Sequence, residues 1–172
     1  MKKPTVSQLI ELLNKPALIK WANKIGLEGV SLDDYQKKSK ASGTSMHNQI
    51  QSYLQDGVCF ESEEVQKKFN SFIFDKRVID IEQNVETEYF VGRYDIKLLY
   101  NGVEYICDFK SSSRVYFEQL LQLSAYQMAF PECKIAVVEI PDFNFKPQEI
   151  NTYKYHQILR ALHYIYKMKS EL

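Results

Sequence analysis

Two periodicities divide the chain. Up to about residue 75, apolar side chains recur at three- and four-residue spacing, which predicts helices. The first covers 4–14 with Ser7 as its N-cap, and Pro16 restarts the chain into a second over 17–27, ending at Gly26 or Gly29. A polar third helix over 31–40 precedes a break at Ser42-Gly43-Thr44, and a fourth over 46–55 closes at Gly57. Val65, Phe69, Phe72 and Ile73 give a fifth over 62–75. From Val78 the period becomes two, predicting strands over 78–90, 91–100 and 103–111. Asn101-Gly102 between the last two signals a type I′ hairpin turn. Helical spacing returns over 115–130 and stops at Pro131. The apolar run 133–140 predicts a strand buried on both faces. A loop over 141–147 and a helix over 149–169 complete the chain. The expected fold is α/β, a mixed central sheet flanked by helices, in one domain over 1–172. Residues 1–41 form an N-terminal helical segment and 42–172 the core.

Composition narrows the class. With 172 residues, 45% of them hydrophobic and 13% aromatic, the chain can bury a core of its own. No apolar run reaches the ~18 residues of a transmembrane helix. The start lacks the apolar stretch of a signal peptide and the Arg-rich pattern of a transit peptide. Cys59, Cys107 and Cys133 are scattered, with neither disulfide-framework nor zinc spacing. These features predict a soluble cytoplasmic protein with no membrane partner. The 22 Lys+Arg balance the 22 Asp+Glu, which weighs mildly against a nucleic-acid binder.

Candidate chemistry gathers at the hairpin. Counting outward from Tyr100 opposite Val103 puts Asp95 opposite Asp108 and Arg93 opposite Lys110. Asp95, Asp108 and Lys110 then project from one face. Two carboxylates held together repel unless one protonates, a cation bridges them or solvent screens them. Mg²⁺ or Mn²⁺ suits such oxygen ligands, and an adjacent lysine can orient or deprotonate a bound water or stabilise charge on a phosphate. A solvated hairpin with a surface Asp–Lys pair is the alternative.

The order Gly92-Arg93-Tyr94-Asp95, then Asp108-Phe109-Lys110-Ser111, resembles the G-x-x-D … D-x-K core of the PD-(D/E)XK nuclease superfamily. Gln122-Leu123-Ser124-Ala125-Tyr126 matches the Q-x-x-x-Y helix of its RecB-type branch, and Gly43-Thr44-Ser45-Met46-His47 its G-x-x-x-H motif. The N-terminal stretch looks like that of phage RecB-like exonucleases, and the region from Ile81 to Tyr126 is similar to the mitochondrial genome maintenance exonucleases.

The resemblance implies a metal-dependent DNA exonuclease, acting on DNA ends or single strands in phage or bacterial recombination, repair or replication. A recombinase or other replication protein would be a possible partner. It implies His47, Asp95, Asp108 and the Phe109 carbonyl as ligands of one or two Mg²⁺ or Mn²⁺ ions. Lys110 would be the catalytic lysine and Glu82 the additional acid, with Glu86 and Glu88 competing for that place. Arg93, Ser111, Gln122 and Tyr126 would contact DNA. Outlying candidates are Lys37, Lys38, Lys40, Lys67, Lys68, Arg114, Lys154 and Arg160, and the aromatics Tyr116, Phe117, Tyr153, Tyr155, Tyr164 and Tyr166. The dispersed cysteines argue against an iron–sulfur cluster, and no phosphate-loop sequence supplies a motor. The rival functions are a catalytically silent DNA-binding or adaptor module of the same fold and a structure-specific endonuclease. A divalent ion at the acids would offset their charge, so the balanced composition is compatible with a DNA substrate.

Overall fold

The computed structural model describes residues 2–13, 16–27, 29 and 31–171, with 16–21, 32–36, 38–40 and 42 described by their backbone alone. The side chains of Lys38 and Lys40 and all of Asn14 lie outside the described residues; the first helix, expected to run to 14, stops at Ile10, with residues 11–13 in turns.

In helix α1 (Val6–Ile10) the N-cap is Thr5 and not Ser7, two residues earlier than expected. Thr5 Oγ1 accepts the Gln8 N–H at 3.2 Å while Gln8 Oε1 accepts the Thr5 N–H at 2.8 Å. This reciprocal pair satisfies two otherwise orphaned donors. Helix α2 (Pro16–Leu27) begins on a proline, whose fixed φ suits a first helical turn. The expected break at 42–44 does not occur: α3 runs unbroken from Leu32 to Asp56, across the supposed boundary at 41. A helical glycine costs only ~1 kcal/mol. Burial of Ile50 and packing of Met46, Tyr53 and Leu54 on the same helix outweigh it. Helix α4 (Glu63–Ile73) is capped by Ser62, with Glu63 and Glu64 complementing its N-terminal dipole.

Five strands form one mixed sheet in chain order: β1 (Arg77–Glu86), β2 (Val91–Tyr100), β3 (Val103–Lys110), β4 (Lys134–Glu139) and β5 (Asn144–Gln148). All neighbours are antiparallel except β3 and β4, joined by helix α5 (Phe117–Ala129). Asn101 and Gly102 both take positive φ, 49° and 74°, as the two-residue turn requires. The expected first strand stops at Glu86, because Thr87 turns the chain by accepting the Tyr89 and Phe90 N–H groups on its hydroxyl. The second half of the expected loop 141–147 is instead strand, as β5 starts at Asn144 and runs on to Gln148. Phe145 draws it in against Tyr100 and Tyr105, with ring centroids at 5.6 and 5.2 Å. Pro147 is tolerated there because β5 is an outer strand. Helix α6 (Thr152–Ser170) closes the chain.

The sheet separates two cores. Tyr94, Ile106, Ile135 and Val137 meet α1, α5 and α6 on one face. Ile96, Leu98, Cys107, Phe109, Ala136 and Val138 meet α3 and α4 on the other. Strand β4 thus buries both its faces, as its unbroken apolar run predicts. Strand β2 changes faces midway. Tyr94 and Ile96 share parity, yet Tyr94 enters the first core and Ile96 the second. The residue between them is Asp95. No helix among the described residues is long and apolar enough to cross a membrane.

Candidate metal centre and its lysine

The β2–β3 ladder ends at Ile96 opposite Cys107, one pair short of the expected Asp95–Asp108 rung. Asp95 Oδ2 instead accepts the Phe109 N–H at 2.7 Å. A side chain replaces a backbone carbonyl, so the strands part here. The ladder between β1 and β2 is also interrupted, between the pairs Ile81–Ile96 and Gln83–Tyr94. Glu82 stands in that gap with φ 50°, a left-handed backbone uncommon for a residue with a β-carbon. Two irregularities on neighbouring strands turn two carboxylates to one place.

Helix α3 brings His47 to the same spot. Ligand atoms of His47, Glu82 and Asp95 all lie within 4.8 Å of one another. His47 Nδ1 is 3.6 Å from Asp95 Oδ1, and Nε2 is 3.2 Å from the Phe109 carbonyl. A carbonyl only accepts, so in this contact Nε2 is the donor, and Nδ1 is the ring nitrogen that faces the acids. One imidazole nitrogen and two carboxylates form a donor set suited to Mn²⁺ or Mg²⁺. The residues themselves fit the ion: two acids share a half-buried place whose third member brings a ring nitrogen.

Asp108, expected among the ligands, is not in the trio within 4.8 Å, but its charge reaches Asp95. Its carboxylate is 2% exposed, and Lys110 Nζ stands 2.6 Å from Oδ2, at ion-pair distance without hydrogen-bond alignment. Lys110 also donates to Gln122 Oε1 at 3.2 Å, and Gln122 donates to the Tyr126 hydroxyl at 2.9 Å. Gln122 and Tyr126 lie one turn apart on α5, so this chain is a helix face applied to the end of β3. The Phe109 carbonyl, another expected ligand, is the partner of His47. Arg93 does not face Lys110. It pairs with Asn84 across β1–β2, and its Nε lies 2.7 Å from Glu82 Oε2. Ser111 is exposed at the strand end. Glu86 is bound to Lys3 at 2.6 Å, away from the cluster, and Glu88 lies in the 87–90 loop.

Electrostatics follow from this crowding. Burial, the charge of Asp108 and that of Glu82 push Asp95 well above the usual carboxylate range, against the Phe109 N–H and Lys110. Burial pulls Lys110 down, but Asp108 and then Asp95 more than offset it and hold the ammonium above its ordinary value. Burial likewise raises the Tyr126 hydroxyl.

Two hollows meet at Arg93. One of about 230 Å³ is lined by Gly43, Thr44, His47, Glu82 and Arg93. The other, about 910 Å³, opens beside Val6, Gly92, Arg93, Gln122 and Tyr126. The Arg93–Glu82 pair is not legible from the hairpin count. It depends on the β1–β2 register, which a four-residue connection leaves open, and Glu82 is the diagonal neighbour of Arg93 there.

Neither a protein-family model nor a curated protein matches the chain. Solved structures similar to it include the crystal structure of SSO0001, at 13% identity and TM-score 0.48, covering 95% of this chain and 76% of that one.

Proposed function

We propose that this chain is a Mg²⁺- or Mn²⁺-dependent deoxyribonuclease of the RecB-type PD-(D/E)XK branch, an exonuclease acting on DNA ends or single strands. One observation supports the reading above the rest. The His47–Glu82–Asp95 donor trio and the Lys110–Asp108 pair adjoin through Phe109, whose N–H donates to Asp95 and whose carbonyl meets His47.

His47, Glu82 and Asp95 would hold the ion. A bound divalent cation supplies Lewis acidity toward a phosphoryl oxygen and a more acidic water. Lys110, kept protonated by its two acidic neighbours, serves as a fixed positive charge facing the reacting phosphate and not as a base. Asp108 holds that ammonium in place. Arg93 spends one guanidinium edge on Glu82 and leaves the rest of a 61%-exposed side chain to a phosphodiester. Its position between the two hollows fits a strand running from one to the other.

The test uses 5′- and 3′-labelled linear DNA beside closed circles, with Mg²⁺, Mn²⁺ or EDTA. Metal-dependent loss of linear DNA, abolished by Asp95→Ala and reduced ~10²-fold or more by Lys110→Ala, is the expected result. Absence of metal-dependent cleavage overturns the proposal, and cleavage of closed circles replaces the exonuclease with an endonuclease.

A further inference from the structure

Gly92 is the one glycine among the described residues whose added β-carbon would meet another atom within 4 Å. That carbon would lie 2.8 Å from Tyr126 Cε1 and 3.1 Å from Val6 Cγ2. Gly102, Gly57 and Gly29 have positive φ and open space around them, so backbone freedom explains those three. Gly92 has neither feature. What it provides is room, and the occupant of that room is the Tyr126 ring.

Tyr126 is closely packed where it lies. It is 3% exposed and packed into the first core with Val6, Leu121 and Leu123. Its hydroxyl accepts from Gln122, whose amide oxygen accepts from Lys110. A methyl group on residue 92 must therefore displace the ring, and the hydroxyl with it, from the end of a three-member chain. Lys110 has one other partner, Asp108, at a contact that lacks hydrogen-bond alignment. Asp108 anchors the ammonium at 2.6 Å, and Gln122 at 3.2 Å sets its second direction.

We propose that Gly92 is a positioning residue for Lys110. Its missing side chain seats Tyr126 against β2, and Tyr126 through Gln122 aims the ammonium at the reacting phosphate. The inference rests on the nuclease reading for its kinetic consequence, and on geometry alone for the placement of Lys110.

In the full-length protein, Gly92→Ala should lower kcat on linear DNA about ten- to hundred-fold, the scale of a misplaced reacting group, with KM and Mn²⁺ affinity by calorimetry unchanged. In a Gln122→Leu background the chain is already cut. There Gly92→Ala should lower Tm as before and kcat no further. An equal loss of kcat in both backgrounds, or none in the parent, overturns the proposal. Should Gly92→Ala not fold, Tyr126→Leu restores the space, and the double variant should match Tyr126→Leu alone in kcat; a lower value overturns the proposal. A readout free of catalysis separates this from the nuclease reading. Mass spectrometry after limited labelling with an amine-reactive reagent should show Lys110 modified faster in Gly92→Ala while buried Lys97 is unchanged. Unaltered Lys110 labelling overturns the positioning role. An inactive parent with altered labelling overturns only the nuclease.

Discussion

Asp95 Oδ2 accepts the Phe109 N–H at 2.7 Å in the place where a backbone rung would stand. This bond opens the sheet at one point without leaving the Phe109 donor unpaired. It also fixes a carboxylate with 12% side-chain exposure between Glu82 and the strand carrying Asp108. Asp95 is the hinge of the site: β2 changes faces on it, and the donor trio and the lysine pair adjoin through it.

Asp95 therefore costs stability when no cation is present. Its folded-state pKa stands above the unfolded one, owing to burial first and Asp108 second. Below the ordinary carboxylate range the group is protonated in both states and contributes nothing. As pH rises through that range toward the folded value, the unfolded chain releases its proton first, so stability falls; above the folded value the loss is complete. Asp95→Asn keeps an acceptor for Phe109 and removes the charge. In EDTA at pH 7.5 it should raise Tm by about 2–4 °C, with a smaller gain at pH 4. Mn²⁺ should raise the Tm of the parent and leave that of the variant unmoved. Equal melting of the two proteins in EDTA at pH 7.5 would contradict this account.

Arg93 and a cation compete for Glu82. The guanidinium lies 2.7 Å from one Glu82 oxygen, inside the reach of the donor trio. Removing it by Arg93→Ala frees that carboxylate and deletes a nearby positive charge. Mn²⁺ affinity, read by calorimetry without DNA, should rise several-fold. DNA affinity in Ca²⁺ should fall, and the slope of log K against log salt should flatten by about 0.7–0.9, one phosphate contact. Weaker Mn²⁺ binding in this variant would show that Arg93 supports the site instead of competing with it.

What was legible in the sequence was what short-range rules control. The Asn101-Gly102 turn set the β2–β3 register as far as Ile96 and Cys107, and the unbroken apolar run of β4 announced its double burial. The count failed one pair later, since no periodicity reveals that a side chain will take over a rung. Glu82 could be nominated, but not chosen over Glu86 and Glu88, because its left-handed backbone has no local signal. Propensity alone disfavours Ser42-Gly43-Thr44 inside a helix, and the packing of Ile50 and its neighbours that carries α3 through it is a tertiary effect. Strand β5 was hidden by Pro147 and is held by Phe145, whose partners are distant in sequence.

The second core supports the site from below, and its keystone is Phe143. Its ring lies 5.0 Å from Phe69, 6.0 Å from Phe72 and 6.4 Å from both Phe60 and Phe109. Burial of one ring plus its aromatic contacts makes Phe143→Ala cost ~3–5 kcal/mol in urea melts. Phe74, 91% exposed, should lose no more than ~0.5 kcal/mol on the same change. Loss of Phe143 should also weaken Mn²⁺ binding, as Phe109 shares this cluster and holds both Asp95 and His47. Similar stability in the two variants would refute the packing argument.

Gly43 gives the last expectation, and it separates folding from function at one atom. The residue sits inside α3, where glycine is poorer than alanine by roughly 0.5–1 kcal/mol, and an added β-carbon meets nothing within 4 Å. On folding grounds Gly43→Ala is therefore stabilising, and Tm should rise by about 1–4 °C. Gly43 also lines the smaller hollow beside His47 and Glu82. If that hollow receives substrate, the same methyl group intrudes on it, and KM for DNA should rise while Mn²⁺ affinity stays constant. A protein that melts higher and cleaves with unchanged KM would show that the strand does not pass Gly43, and would leave the larger hollow beside Gln122 as its path.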